Sequence, residues 1–463
     1  MTKKNSVEKK SNWKVSRYLT KVDIPVVNTL LLYGGIDGRL VEIPQDFRAS
    51  ADGILDNPNA MLTEKDEEIR QLMKDQGILV PEELSEKDFL FERNQLARNN
   101  TSTSLSLTIC PTINCNFRCT YCYQHHIPTI MSEEVQDTLL EWIEKKHPSA
   151  KNIHITWFGG EPLLGYPVIK RLTKKLQDKF GKDNYSAFMI TNGSLLKPDI
   201  SKSLADLSIS GIQVTLDGSS HIHNERRPIN GGKPSFDLIV ENLKSCDPRV
   251  RISLRVNVDE LNAKTINPNL FDELDQAGLK SRLSVYFAPV VAYTDVCADS
   301  AGTCLSGKSW SSLEAQLLFK AYLRGYSQPS LPGSISSFCI ADNVNGWVIN
   351  PNGLVFKCWN DVTHEEKAVM DIMSDTTSLR MDVELSRWES WNPSKLSGCN
   401  DCSTLPQCMS GCPHITLSKP VEGERGDCSE LKYNLPEKLA TYYLAEKQKE
   451  GFEKVRLILD KNS

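Results

Sequence analysis

The chain has 463 residues, 40% of them hydrophobic and 24% charged, the composition of an ordinary globular protein long enough for about three domains. A net charge of −5 leaves no basic footprint, so neither nucleic acid nor an anionic membrane surface is an expected partner. No apolar stretch approaches the roughly 20 residues that span a bilayer, and Met1–Lys10 lacks a signal-peptide core, so the expected location is the cytoplasm.

Residues 1–12 are rich in Lys and Ser and read as a frayed start. Thr29–Tyr33 and Arg39–Ile43 are apolar runs on either side of Gly34, Gly35, Asp37 and Gly38, the pattern of a β-hairpin. Thr63 is placed to cap a helix in which Ile69, Leu72 and Met73 share one face and Gly77 supplies the stop. With Ile78–Val80 these elements make a small α+β module over residues 1–100, either a structural cap or a binding unit.

From residue 101 to 308 strands alternate with helices. Leu105, Leu107 and Ile109 lead into a loop in which Cys115, Cys119 and Cys122 stand at C-x3-C-x2-C spacing, followed by a helix with Val135, Leu139, Trp142 and Ile143 on one side. Further strands are expected at 153–158, 187–191, 211–216, 251–258 and 283–289. Such β-α repeats demand a parallel sheet wound by right-handed crossovers into a full or partial barrel, with chemistry at the carboxyl ends of its strands. Gly159-Gly160-Glu161-Pro162, Asn192-Gly193 and Asp217-Gly218 follow the second, third and fourth strands, at the same face as the cysteine loop. Each taken singly could be ordinary turn chemistry.

Three thiolates on one loop suit an iron–sulfur cubane in which one iron keeps no protein ligand. A structural zinc site wants four closed ligands; no His follows at finger spacing, and His125 and His126, being adjacent, point different ways. Beyond the barrel, 294–308 reads as a Ser-, Gly- and Ala-rich linker, Trp310–Tyr326 as a helix, 309–435 as a turn-rich, cysteine-dense domain, and Pro436–Ile458, within 436–463, as a closing helix. Of fourteen cysteines in all, seven lie between Cys339 and Cys428, and four (Cys110, Cys246, Cys297 and Cys304) lie outside both groups and read as buried or incidental thiols. The cytosol keeps thiols reduced, so the clustered ones read as ligands rather than disulfides.

With the aromatic Tyr121 before its last cysteine, the loop resembles that of the radical SAM superfamily over roughly residues 104–290. The resemblance implies a partial (βα)6 TIM-like barrel, a [4Fe–4S] cluster on Cys115, Cys119 and Cys122, and S-adenosylmethionine on its open iron. Gly159, Gly160 and Glu161 look like the motif that holds the methionyl amino group, and Asn192 stands in the next loop at the same face. Thr215 sits where relatives carry a serine near the ribose or carboxylate, and Arg255 is similar to the arginine that pairs with that carboxylate, a role suited to its fork.

The later cysteines resemble a SPASM domain, which holds two auxiliary clusters in peptide- and protein-modifying enzymes. By that resemblance Cys399, Cys402, Cys408 and Cys428 bind the outer cluster, and Cys339, Cys358 and Cys412 the inner one, three clusters in all. Seven cysteines fall one short of two closed cubanes; Asp342, Cys304 or Cys297 could complete the set, or the inner cluster is open to a substrate thiolate. Anaerobic sulfatase maturases carry a basic aspartate directly after the inner-cluster cysteine, whereas Cys358 is followed by Trp359 and Asn360, which disfavours formylglycine formation. The amino-terminal module resembles PqqD-like peptide-recognition domains in its order of elements. The resemblance therefore implies a 5′-deoxyadenosyl radical that abstracts hydrogen from a precursor peptide to form a thioether or carbon–carbon cross-link, with an electron donor such as flavodoxin or ferredoxin. The rivals are a sulfatase-maturase-like enzyme and a noncatalytic iron–sulfur or zinc scaffold; Glu161 and Arg255 speak against the scaffold, because a structural site needs no S-adenosylmethionine pocket.

Overall fold

The continuous apolar run Leu30–Tyr33 has no polar side to turn to water, and both faces of its strand are covered. In the computed structural model, which describes residues 12–99, 103–264, 266, 269–374, 376–418 and 428–449, this run is the central strand of an antiparallel sheet. The first strands are β1 (Trp13–Val15), β2 (Leu19–Ile24), β3 (Thr29–Gly34), β4 (Arg39–Pro44) and β5 (Leu79–Pro81), with β2-β3-β4 forming the sheet and β1 pairing β5 antiparallel. Leu30 and Leu32 pack under the helices Arg48–Asp56 and Glu64–Asp75, while Leu31 and Tyr33 pack under the closing helix Leu431–Lys449. Full burial of each such leucine is worth roughly 1.5–3 kcal/mol.

The expected hairpin is therefore present, and β2 completes it to three strands. Its alternation of buried Val22 and Ile24 with exposed Lys21 and Asp23 is a period-two signal that the hairpin reading did not use. Thr63 caps its helix by accepting from the Asp66 amide at 3.2 Å. Ile69 and Met73, one turn apart, set the buried stripe; Leu72 lies on its shoulder and is 42% exposed, contrary to the expected shared face. A third helix, Glu86–Asn99, ends the module.

The main sheet contains β6 (Ser104–Ile109), β7 (Asn152–Trp157), β8 (Tyr185–Thr191), β9 (Ile209–Thr215), β10 (Arg251–Val258) and β11 (Leu283–Pro289), paired in parallel in that order. It does not close on itself. The free edge of β6 is taken instead by β12 (Gly346–Ile349), also parallel, which then turns antiparallel into β13 (Leu354–Phe356) and β14 (Met370–Asp371). The cysteine-rich region is thus continuous with the barrel sheet. Pairing of Ile109 with Trp157, Trp157 with Met189 and Thr215 with Arg255 brings the carboxyl ends of the strands to one face.

Two connections differ from expectation. The segment expected as a linker is a 3₁₀ stretch, Asp295–Thr303, with Cys297 buried. The closing helix starts at Leu431 rather than Pro436, with Pro436 inside it; burial of Leu435 and Leu439 and the bonds of Asn434 to the Ser311 carbonyl (2.8 Å) and Glu314 (3.0 Å) hold the turn that the proline weakens. Residues 1–11 of the expected frayed start, and the expected helix beyond Lys449, lie outside the described residues. Among the described residues no helix is long and apolar enough to cross a membrane.

Candidate active site

The loop after β6 carries Cys115, Cys119 and Cys122 into a cavity of about 250 Å³ at the carboxyl ends of the strands. Burial pushes the Cys115 thiol up to about 11 and Cys119 up to about 12, and raises Cys122. Three thiols that burial holds protonated around one pocket are poor nucleophiles on their own. A bound cation would convert them to thiolate ligands, because coordination deprotonates a thiol outright.

The Gly-Gly turn after β7 lies directly against this loop. A Cβ on Gly159, whose φ is +120°, would meet the Thr112 carbonyl at 2.2 Å, and one on Gly160 would meet the Asn114 and Ile113 carbonyls at 2.3 and 2.4 Å. Glycine is required because backbone approaches backbone here. Gly160→Ala should force the two loops apart, costing about 1–3 kcal/mol and lowering the iron retained by the loop; a denaturation midpoint and an iron assay on the same preparation read both.

Glu161 is fully buried and does not line the cavity. One carboxylate oxygen accepts from the Leu163 amide (3.0 Å) and the Thr191 hydroxyl (2.8 Å), the other from the Asn192 amide (2.7 Å). Burial raises its pKa against these bonds, which favour the charged form. Glu161 thereby ties the end of β7 to the end of β8 and fixes Thr191 and Asn192, which do line the cavity. Asn192 in turn donates to Asn116 within the cysteine loop at 2.8 Å.

Tyr121 anchors the same loop from the other side. Its hydroxyl donates to Asp217 after β9 and accepts from Arg227 (2.8 Å) and Asn257 (3.0 Å), and the Arg226 guanidinium lies 5.0 Å from its ring centroid. Arg226 is also held by Asp259 through contacts of 2.8 and 3.0 Å. Arg227 is 8% exposed and lines the cavity. Desolvation opposes its charge, but Cys119, Tyr121 and Asp217 outweigh that and raise its pKa. Its Nε is buried with no hydrogen-bond partner.

Thr215 and Arg255, register partners on β9 and β10, both line the cavity, and Arg255 donates to Asn257 at 2.7 Å. The structure thus brings Tyr121, Gly159, Gly160, Asn192, Thr215 and Arg255 around the three cysteines, with Glu161 behind the wall. Sequence reasoning missed Arg227, Asn257, Tyr293 and the participation of Trp359 and Asn360 in the wall. The adjacent pair Arg226-Arg227 shortly after Asp217 gave no usable signal, because the surrounding segment from Ser219 to Lys233 is largely polar and two more cations do not stand out in it.

The remaining cysteines gather in two places. Cys399, Cys402, Cys408 and Cys428 line one small cavity, with Lys432 Nζ 3.7 Å from the Cys428 sulfur; burial, then the neighbouring Cys402 and Cys399, pushes Cys408 up to about 12. Cys339, Cys358 and Cys412 influence one another electrostatically, and burial raises both Cys339, to about 11, and Cys358. Tyr293, which lines the main cavity, feels all three. Trp359 and Asn360 follow Cys358 into the cavity wall, and Trp359 packs on Phe158 with centroids 5.3 Å apart. Cavity and inner cysteines therefore share a wall.

A donor set of three soft sulfurs around one cavity, beside a close glycine turn and an unsatisfied guanidinium N–H, fits an iron–sulfur cluster with a polar ligand next to it. Residues 109–283 match the Radical SAM superfamily domain, and the chain is an enzyme. Among its relatives is a cysteine-type anaerobic sulfatase-maturating enzyme of Clostridium novyi, 26% identical over 346 residues that span 67% of this chain and 88% of that one. Of solved structures, anSMEcpe with bound AdoMet aligns with a TM-score of 0.56 at 18% identity, over 77% of this chain and 98% of that one. Streptococcus suis SuiB aligns with a TM-score of 0.50 at 14% identity, over 90% of this chain and all of that one. These likenesses in structure establish the shared fold.

Proposed function

We propose that this radical SAM enzyme modifies a ribosomally synthesised precursor peptide, joining two of its positions by a thioether or carbon–carbon bond. The observation that carries the reading is the shared wall: a peptide in the cavity would lie one residue layer from the inner cysteines, across Tyr293, Trp359 and Asn360. Cys115, Cys119 and Cys122 would hold the first [4Fe–4S] cluster; Cys399, Cys402, Cys408 and Cys428 an outer one; Cys339, Cys358 and Cys412 an inner one. When bound, cluster and S-adenosylmethionine together supply a carbon radical able to take hydrogen from an unactivated C–H bond.

The chain's own residues position that chemistry. Gly159 and Gly160 let the turn after β7 seat against the cysteine loop beside the cavity, Thr215 and Arg255 would face the cofactor's carboxylate, and Arg227 would set a positive charge beside the thiolates. The indole of Trp359, in the place where the maturases carry their aspartate, offers no proton acceptor and closes the wall apolarly, which favours bond formation over oxidation to an aldehyde. A small electron-transfer protein such as flavodoxin or ferredoxin would supply the electron, and the cytoplasm is the proposed setting.

The three-stranded sheet followed by three helices supports a PqqD-like role for the first module, with the peptide leader added as a strand at a sheet edge. Removing the leader from the precursor should then raise the KM for modification by about tenfold or more, ~1.4 kcal/mol of binding, while cofactor cleavage without peptide is unchanged. An equal KM with and without leader returns the module to a structural cap.

The decisive experiment is mass spectrometry of a candidate precursor after anaerobic co-expression. Loss of two hydrogens per modification, with fragmentation blocked between the joined positions, is the expected result. A product that reacts with a hydrazide is an aldehyde, and would support instead the sulfatase-maturase reading that the Clostridium novyi relative favours.

A further inference from the structure

Seven cysteines shared between two auxiliary clusters, the assignment on which this inference rests, leave the inner site one ligand short. The three residues that the sequence offered to complete it are engaged elsewhere. Asp342 is buried in an ion pair with Arg98, Nε to Oδ1 2.7 Å, and drawing it away would strand a buried guanidinium. Cys297 points its thiol at the Thr294 carbonyl (3.2 Å) and acts electrostatically on Cys122 of the first loop. Cys304 bonds to the Ser300 carbonyl at 3.3 Å.

One other group stands ready. His414, two residues after Cys412 in the helix Pro413–Ser418, is 7% exposed, and one of its ring nitrogens, the Cys358 sulfur and one Asp361 carboxylate oxygen all lie within 4.8 Å of one another. All three residues are buried. His414 Nε2 is 3.1 Å from Asp361 Oδ1. A carboxylate can only accept, so Nε2 carries the proton and Nδ1 keeps a lone pair. An imidazole fixed in one tautomer by a carboxylate behind it is the arrangement that recurs at metal-bound histidines. Tyr293 and Trp388 pack around the ring, with centroids 6.1 and 6.4 Å away, and restrict its rotation.

We infer that His414, oriented by Asp361, is the fourth protein ligand of the inner cluster, giving it three thiolates and one imidazole. Nitrogen suits iron better than the oxygen of Asp361, whose carboxylate is already occupied by the imidazole N–H. A neutral ligand in place of a thiolate makes the cluster one charge less negative and raises its reduction potential, as imidazole does in other iron–sulfur centres. An inner cluster closed in this way serves electron transfer out of the cavity rather than capture of a substrate sulfur.

Pulsed electron paramagnetic resonance on the reduced, fully loaded enzyme tests this directly. Spectra are recorded without S-adenosylmethionine, whose amino nitrogen would add a coupling of its own. Wild-type enzyme with about twelve irons should show a nitrogen coupling on one cluster that changes on 15N-histidine labelling. His414→Cys, which offers a thiolate instead, should retain the iron, lose that coupling and lower the midpoint potential of one cluster. The control matters because His126 lies 3.5 Å from Cys122 and could couple weakly to the first cluster. Absence of the coupling in wild-type enzyme, or its persistence in His414→Cys, overturns the inference while leaving the clusters in place. Iron at the level of one cluster, with zinc on the seven cysteines, overturns the cluster assignment and the inference with it.

Discussion

Replacing Cys115, Cys119 and Cys122 together with alanine should abolish 5′-deoxyadenosine production and remove about four irons of about twelve, while the folded body persists. The physical reason for persistence is local. The loop is held by contacts that do not involve sulfur: Tyr121 to Asp217, Arg227 and Asn257, Asn192 to Asn116, and the amide bonds of Arg118 and Thr120 to the Pro228 and Arg226 carbonyls at 2.9 and 3.0 Å. Cys115 and Cys119 are only partly buried where they pack on the main core, in contrast to Cys110, which is fully buried in the apolar cluster around Ile113, Phe158 and Val348. Iron assay, near-ultraviolet circular dichroism and product analysis by chromatography form the check. Residual 5′-deoxyadenosine at even a few per cent would remove this loop from the chemistry.

How much of the fold and the site was readable in advance depended on the range of each signal. The cysteine loop, the Gly-Gly turn and the strand ends are local patterns, set by metal-ligand spacing, close backbone approach and the two-residue strand period, so they were legible one element at a time. Glu161 stands in the expected loop, with its carboxylate bonded behind the cavity wall. Motif position says where a residue stands along the chain; whether its carboxylate faces the cavity or the amides of β8 is decided by packing. Arg226 and Arg227 went unread because their partners, Asp217, Asp259 and Tyr121, come from three other segments. The Asp361–His414 contact joins residues 53 positions apart and carries no sequence period at all. β12 beside β6 was equally hidden: strand pairing across more than two hundred residues leaves no mark that a four-residue run can display.

Asp217→Ala should be the most damaging single substitution at the site, costing about 3–5 kcal/mol of folding free energy, and it should disable the loop as well. Asp217 is fully buried and serves three partners: the Tyr121 hydroxyl, the Asn257 amide at 3.1 Å and Arg226 Nε at 3.4 Å. In that interior Arg226 faces two carboxylates, Asp217 and Asp259, and buried Arg227 lies within electrostatic reach of Asp217. Deleting one carboxylate leaves a surplus positive charge in a low-dielectric region, where an unpaired charge costs far more than the pair contributes over an apolar equivalent. Tyr121→Phe removes only one hydroxyl and should cost about 1–3 kcal/mol, leaving the charges balanced. Denaturant unfolding of the iron-free proteins isolates this difference from cluster loss. Because Tyr121 sits between Cys119 and Cys122, freeing its hydroxyl from Asp217 releases the loop that presents both sulfurs, so Asp217→Ala should also lose the first cluster on anaerobic gel filtration. Asp217→Asn keeps an acceptor for the Asn257 amide and fills the same volume, but its NH2 stands where the Tyr121 hydroxyl and Arg226 Nε need an acceptor, so it should lose loop iron as Asp217→Ala does; an Asn variant that retained its loop iron would remove the Tyr121 contact from the support of the loop.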